Sequence, residues 1–183
     1  MRESSDILDQ NIGELPDILV QNMKILFVGF NPGLRSGSIG HHYAGHSNRF
    51  WKLLADAQLT PRRYRPEEDV ELARLGFGLT NIVARVTQTA AEITPEEYES
   101  GRRRLRTLIG LYSPRIAAFN GIGVYSQYAD RRKVAAGIQE SPVVPGVIDF
   151  VLPSPSGLVR LPYSEMLGLY KKLKALSDSL PSA

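Results

Sequence analysis

The chain has 183 residues, 43% of them hydrophobic and 22% charged, with a net charge of +3. That size and apolar content suit one domain with a real core, flanked by loose tails at about 1–16 and 178–183. The absence of cysteine excludes disulfides, thiol catalysis and thiolate-held zinc or iron–sulfur clusters. No run reaches the ~18 apolar residues of a membrane helix, and the acidic, polar start is unlike a signal peptide, so an intracellular protein away from membranes is expected.

In chain order, strands and helices alternate. An apolar run predicts a strand from Ile25 to Phe30, followed by a long Gly/His loop. A helix follows from Asn48 to Ala57, with Ser47 as N-cap and Phe50, Leu53, Leu54 and Ala57 on one face. A short helix covers Glu67 to Leu75, and Leu79 to Val83 reads as the second strand. Thr94-Pro95-Glu96-Glu97 is a capping box with proline at the first helical position, opening a helix to Tyr112. Ile116 to Phe119 is a third strand, Val124 to Ala129 a short helix, Val147 to Leu152 a fourth strand and Tyr163 to Ser177 the closing helix. Such alternation predicts an α/β fold: a single domain of three αβα layers around a mainly parallel sheet.

In such a sheet, loops leaving the carboxyl ends of strands share one edge, so distant segments can build one site there. Two loops qualify: Gly29-Phe30-Asn31-Pro32-Gly33-Leu34, and Pro153-Ser154-Pro155-Ser156-Gly157-Leu158-Val159-Arg160. In the first, Asn31 offers an acceptor and a donor but no titratable proton, so it suits orienting a water rather than deprotonating it. The same residues also fit a plain tight turn. Tyr43, flanked by small residues, suits stacking on a base and equally suits an ordinary half-buried tyrosine, whereas Phe50 and Trp51 read as core. In the second loop, Ser154, Ser156 and nearby amides suit phosphate oxygens, Gly157 permits close approach of DNA, and Arg160 suits a phosphate or a base edge. Leu158 at the tip is either a wedge for a base stack or folded back on the domain.

The basic clusters at Arg62, Arg63 and Arg65 and at Arg131, Arg132 and Lys133 suit a polyanion, while the Arg102 to Arg106 run reads as a solvated helix face. His41, His42 and His46 lie close together without a carboxylate nearby in sequence, so no metal site is expected.

Together these residues resemble the mismatch-specific uracil/thymine DNA glycosylase family, the Mug and thymine-DNA glycosylase branch of the uracil-DNA glycosylase superfamily. The resemblance runs from about Asp17 to Leu173. It rests on five ordered blocks: Gly29 to Leu34; Gly40-His41-His42-Tyr43 with Asn48-x-Phe50-Trp51; Gly76 to Val83 with Arg85; Pro114 to Gly121; and Pro155-Ser156-Gly157-Leu158-x-Arg160. It implies a monomeric, monofunctional, cofactor-free enzyme that flips uracil, or thymine or a damaged cytosine, out of mismatched double-stranded DNA. Uracil chiefly opposite guanine would be the substrate, and water would cut the N-glycosidic bond. By the same likeness Asn31 and Thr80 hold the water, Tyr43, His42 and the Phe30 backbone meet the base, and Leu158 fills the vacated stack. Gly157 meets the orphan guanine, and Ser154, Ser156 and Arg160 grip the flanking backbone. Position 154 is serine where bacterial Mug commonly has asparagine.

Three other readings stay open on sequence: a glycosylase for deaminated purines such as hypoxanthine, a non-catalytic DNA-binding module on the same fold, and a small-molecule nucleoside hydrolase. Glu92, the first carboxylate after Thr80, is either a catalytic aid or an exposed loop residue.

Overall fold

Successive residues of the central strands point to opposite sides of the sheet, and both sides are apolar, so each strand is buried on two faces. The computed structural model describes residues 13–181. Strands β1 (Ile25–Gly29), β2 (Phe77–Asn81), β3 (Ile116–Asn120) and β5 (Ile148–Leu152) run parallel, and the two-residue β4 (Gly137–Ile138) pairs antiparallel with β5. The order across the sheet is β2-β1-β3-β5-β4. One face carries Ile25, Phe27, Leu79, Ile116 and Phe150 against Phe50, Leu53 and Leu54 of α2 (Phe50–Asp56) and Met166 and Tyr170 of α5 (Tyr163–Ser179). The other carries Leu26, Val28, Ala117, Phe119 and Val151 against Leu105 and Ile109 of α3 (Pro95–Tyr112) and Val124, Tyr125 and Tyr128 of α4 (Ile122–Ala129). Burying each such side chain contributes about 1.5–3 kcal/mol, which is what holds the helices to both faces. The three-layer α/β domain expected from the sequence is the fold observed.

The chain leaves β1 toward β2 on one side and returns to β3 on the other, so the order reverses beside β1. In an open α/β sheet the crevice beyond the carboxyl ends at such a reversal is where ligands bind.

Differences from the sequence reading have local causes. Residues Leu34–Ile39 form a short helix, α1, inside the expected Gly/His loop, ended by Gly40 in the left-handed region (φ 75°). Helix α2 starts at Phe50 rather than Asn48, because the Asn48 side-chain oxygen takes the Phe50 N–H (2.9 Å) and Ser47 packs elsewhere. Strand β2 starts at Phe77: Gly78 is needed inside it, since a Cβ there would lie 2.4 Å from Met23 Sδ. The segment Pro66–Leu75 is a 3-10 helix. The Thr94 capping box is present as expected. Of the expected tails, residues 1–12 and 182–183 lie outside the described residues. Within residues 13–16, Leu15 is buried and its N–H donates to the Ala84 carbonyl (3.2 Å), whereas Gly13 and Glu14 are exposed. Just beyond, Ile18 exchanges backbone bonds with Leu79 along the outer edge of β2 (2.9 and 2.8 Å), and at the other terminus α5 continues to Ser179.

One polar group sits inside an apolar face. Asp149 on β5 is fully buried beneath α4, with Oδ2 accepting from the Tyr125 hydroxyl (3.0 Å) and the Val143 N–H (2.9 Å). Its Oδ1 has no partner among the described residues. Burial pushes its carboxyl above the usual range.

Candidate active site

The site begins where three strands end side by side. Gly29 closes β1 beside Asn81 of β2, and a Cβ at Gly29 would lie 2.5 Å from Asn81 Oδ1 and 3.1 Å from the Tyr43 hydroxyl. Only glycine leaves that floor open. Asn120, at the end of β3, donates to the Tyr43 hydroxyl (2.8 Å) and accepts from the Tyr170 hydroxyl (3.0 Å). Tyr43 takes a left-handed backbone (φ 52°) and lies flat on Phe50, with centroids 3.9 Å apart at 23°. One ring face is thus spent on the core, and Tyr43 stays half-buried. Burial pushes its phenol well above the usual range, so it stays neutral. Phe50 and Trp51 are core, as expected.

Asn81 differs from its neighbours. It is 6% exposed, yet its side-chain amide has no partner among the described residues. Its amide atoms are not cut off from solvent, so they are free to bond a ligand that enters at this edge. Asn81 had no role in the sequence reading, which ran the strand on to Val83 and so left Asn81 inside it rather than at the site edge.

Asn31 leaves β1 two residues after Gly29. Its Nδ2 donates to the Arg85 carbonyl (3.0 Å), the Thr87 hydroxyl (2.7 Å) and the Pro32 carbonyl (3.2 Å). Carbonyls only accept, so these partners fix which end of the amide is NH2, and Oδ1 is left as an acceptor with no donor among the described residues. Arg85 is itself anchored: its guanidinium pairs with Glu97, whose carboxylate also accepts the Thr94 N–H at the start of α3. Those two partners hold the Glu97 carboxyl down to about 2. Phe30 lends its carbonyl to the Val83 N–H (2.9 Å), while its own N–H has no backbone acceptor among the described residues.

Thr80 is not brought to Asn31. It is 1% exposed, its hydroxyl donates to Asp17 (2.7 Å) and accepts from Arg104 (3.3 Å), and Arg104 also binds the Asn81 carbonyl (2.6 Å). The threonine hydroxyl bonded to the Asn31 amide is that of Thr87, from a polar stretch that gave no periodic signal. His42 is buried and tied at several points: its N–H donates to Asp69 (2.9 Å), its carbonyl accepts from the Trp51 indole (3.3 Å) and its Nε2 donates to the Pro16 carbonyl (2.9 Å). Burial lowers its pKa and keeps the ring neutral, which leaves Nδ1 as the acceptor end. The carboxylate beside His41 and His42 is Asp69, supplied by the 3-10 helix rather than by the loop itself. Among the described residues no group of three side chains is placed as metal ligands would be. The Glu92 carboxylate accepts the Thr89 N–H (2.8 Å), capping its own short turn.

The second loop reaches the same edge. Gly121, after β3, takes a backbone with φ 141°, and a Cβ there would lie 3.7 Å from Ser154 and 3.8 Å from the Phe30 ring, so one residue touches both loops. Ser154 and Ser156 are half-buried and Arg160 is exposed, while Leu158 is 91% exposed. The close approach at Gly157 is made by Ser47 of this chain, whose Oγ would lie 2.4 Å from a Cβ there. The direction a Cβ would take from Gly157 is thus filled by the chain itself, while the residue stays exposed on its other side.

The arginine run on α3 is split between a solvated side, Arg103 and Arg104, and a side packed toward α4, Arg102 and Arg106. Arg102 and Arg106 donate to the Gln127 and Tyr128 carbonyls of α4, Arg103 pairs with Glu99 and Arg104 with Asp17. A crevice of about 670 Å³ between α3 and residues 13–17 is lined by two ion pairs, Arg104 with Asp17 and Arg85 with Glu97. A smaller cavity of about 260 Å³ opens beside Tyr43, lined by Arg35, His46, Arg63 and Arg65.

Among solved structures, the chain is similar to the solution structure of a candidate uracil DNA glycosylase from Methanosarcina acetivorans, with 20% identity and a TM-score of 0.58. The match covers 88% of this chain and 98% of that one. At that identity the likeness speaks for the fold. No helix among the described residues is long and apolar enough to cross a membrane. The family model of the uracil DNA glycosylase superfamily matches residues 16–176, which takes in the strands, both loops and every side chain of the site. The chain therefore belongs to the uracil DNA glycosylase superfamily.

Proposed function

We propose that this chain is a monofunctional DNA N-glycosylase of the mismatch-specific uracil/thymine branch. It flips uracil, chiefly from opposite guanine, out of double-stranded DNA and hydrolyses the N-glycosidic bond to leave an abasic site; thymine and damaged cytosine are further substrates. The observation that carries the reading is the fixed polarity of the Asn31 amide, which presents Oδ1 as a lone acceptor at the carboxyl edge of β1.

A water held on Oδ1 donates one hydrogen to it and aims a lone pair at the sugar C1′. As the bond from C1′ to the base lengthens, its electron pair leaves with the base, water oxygen bonds to C1′ and the surplus proton passes to solvent. The charge that develops on the base meets donors already in place: the Phe30 N–H and the Asn81 amide, above the face of Tyr43. Asparagine supplies no carboxylate to neutralise the sugar cation or take the proton, so turnover is slow and favours good leaving groups. Flipping costs a few kcal/mol and less for a base already mispaired, which favours mismatches. Leu158, exposed on the loop beside the site, suits the role of a wedge that fills the vacated stack. Ser154, Ser156 and Arg160, on the same loop, would grip the flanking phosphates.

The reading is tested by incubating the protein with duplexes carrying G·U, G·T, A·U, ethenocytosine or hypoxanthine and cleaving abasic products with alkali. Release is expected first from G·U. Release from hypoxanthine alone would assign the purine reading, and binding without release from any duplex would reduce the protein to a DNA-binding module.

A further inference from the structure

We infer that Arg49 is a positioning residue for base flipping, a clamp that sets the shape of the loop from which Leu158 projects; this rests on the glycosylase reading above. Arg49 immediately precedes α2. Its backbone N–H donates to the Pro155 carbonyl (2.9 Å). Its Nη2 donates to the carbonyls of Ser156 (2.7 Å) and Val159 (2.9 Å), the residues on either side of Gly157-Leu158. One guanidinium nitrogen therefore closes the base of the turn. Behind the tip, Ser47 meets Gly157 so closely that a Cβ would fall 2.4 Å from Ser47 Cβ, so the turn is backed as well as tied. No carboxylate pairs with Arg49 among the described residues, which leaves its charge committed to the loop carbonyls and to whatever anion passes over it.

The clamp answers a physical need. Leu158 buries almost nothing in the free protein, so its own packing cannot hold the loop in one conformation. A loop ordered only on binding would spend that ordering free energy against DNA affinity, whereas a loop tied in advance does not. Arginine suits the task because its planar fork sends fixed donors to two acceptors and never loses its charge; lysine offers a rotating point charge.

The test is a double-mutant cycle in single-turnover uracil release from a G·U duplex, with Arg49→Gln, Arg49→Lys, Leu158→Ala and the combinations. Alongside it, 2-aminopurine fluorescence next to a non-cleavable 2′-fluorouridine reports wedge insertion. Arg49→Gln is expected to lose about tenfold in release in the parent chain and less than about twofold in the Leu158→Ala background, the non-additivity of residues that act as one. Arg49→Lys should recover part of the loss, and the fluorescence gain should fall in both single variants. Losses that multiply in the double variant, or an unchanged 2-aminopurine signal in Arg49→Gln, would overturn the clamp. Should Arg49→Gln fail to melt cooperatively, Gly157→Ala, which drives the same turn off Ser47, takes its place in the cycle with the same expected outcomes. A parent chain that releases no base from any duplex would instead sink the glycosylase reading.

Discussion

Asn31 Nδ2 lies 2.7 Å from the Thr87 hydroxyl, which in turn donates to the Thr89 carbonyl over 2.7 Å. The threonine's one hydrogen is spent on a carbonyl, so toward Asn31 it can only accept. This makes the polarity of the asparagine amide a property of the 85–89 segment.

Thr87→Val keeps the shape and removes both bonds. The loss of a hydrogen bond worth about 1 kcal/mol should loosen an amide still held by the Arg85 carbonyl, lowering single-turnover base release by roughly fivefold with duplex affinity unchanged. Thr80→Val removes a hydroxyl held by Asp17 and Arg104. It should lower the melting temperature and leave the rate of release within about twofold of the parent, since it breaks a buried hydrogen bond remote from Asn31. Equal rate losses in the two variants would return Thr80 to the site.

Gly29→Ala should fold, because the atom its Cβ meets at 2.5 Å is the end of the Asn81 side chain rather than backbone. Displacing that amide should lower base release by on order of tenfold, about the worth of one hydrogen bond to the base, and compress the difference between G·U and G·T. A variant with parent-like discrimination would show that Asn81 does not read the base.

Leu158→Ala should leave the melting temperature unchanged, since the side chain is 91% exposed. Release should fall most on the better-stacked A·U pair and least on G·U or single-stranded uracil, where less of the few kcal/mol of extrusion is needed. Equal losses on all three would mean that Leu158 does not act as a wedge.

Asp149 gives a pH signature of the fold. Its carboxyl is raised in the folded chain chiefly by burial, so the folded state holds the proton more tightly than the unfolded state. The stability tied to that proton is fully present below the ordinary carboxylate range and is lost as pH rises through the raised value. Asp149→Asn stays neutral at every pH, and its side-chain oxygen can still accept from Tyr125 and Val143. Its melting temperature relative to the parent should therefore climb between pH 4 and pH 8; a difference flat with pH would place the folded carboxyl in the ordinary range.

The sequence made the layered fold legible because two-sided burial turns each strand into an apolar run, and because the Thr94 box fixes the start of α3. It did not reveal α1, whose six residues include Ser36, Gly37 and Ser38 and show no apolar period. Nor did it reveal β4, two residues paired only through β5. In the site, Leu158 stood out as a residue type misplaced for its loop, and Asn31 as a non-titrating polar group at a strand end. Thr87, Asn81 and Arg49 did not, because each takes its meaning from a partner supplied by the fold: the Asn31 amide, the open floor at Gly29 and the carbonyls of a loop more than a hundred residues away.

The strap formed by Leu15 and Ile18 along β2 has a consequence for how the molecule meets others. An exposed strand edge invites a second chain to pair with it. Here Ile18 occupies the outer side of β2, and the opposite border is the two-residue β4, too short to template much. With both faces of the sheet under helices, the backbone offers little for lateral self-assembly. The carboxyl rim, where Asn31, Tyr43 and Leu158 gather, is left as the ground on which a long, stiff, negatively charged polymer would settle.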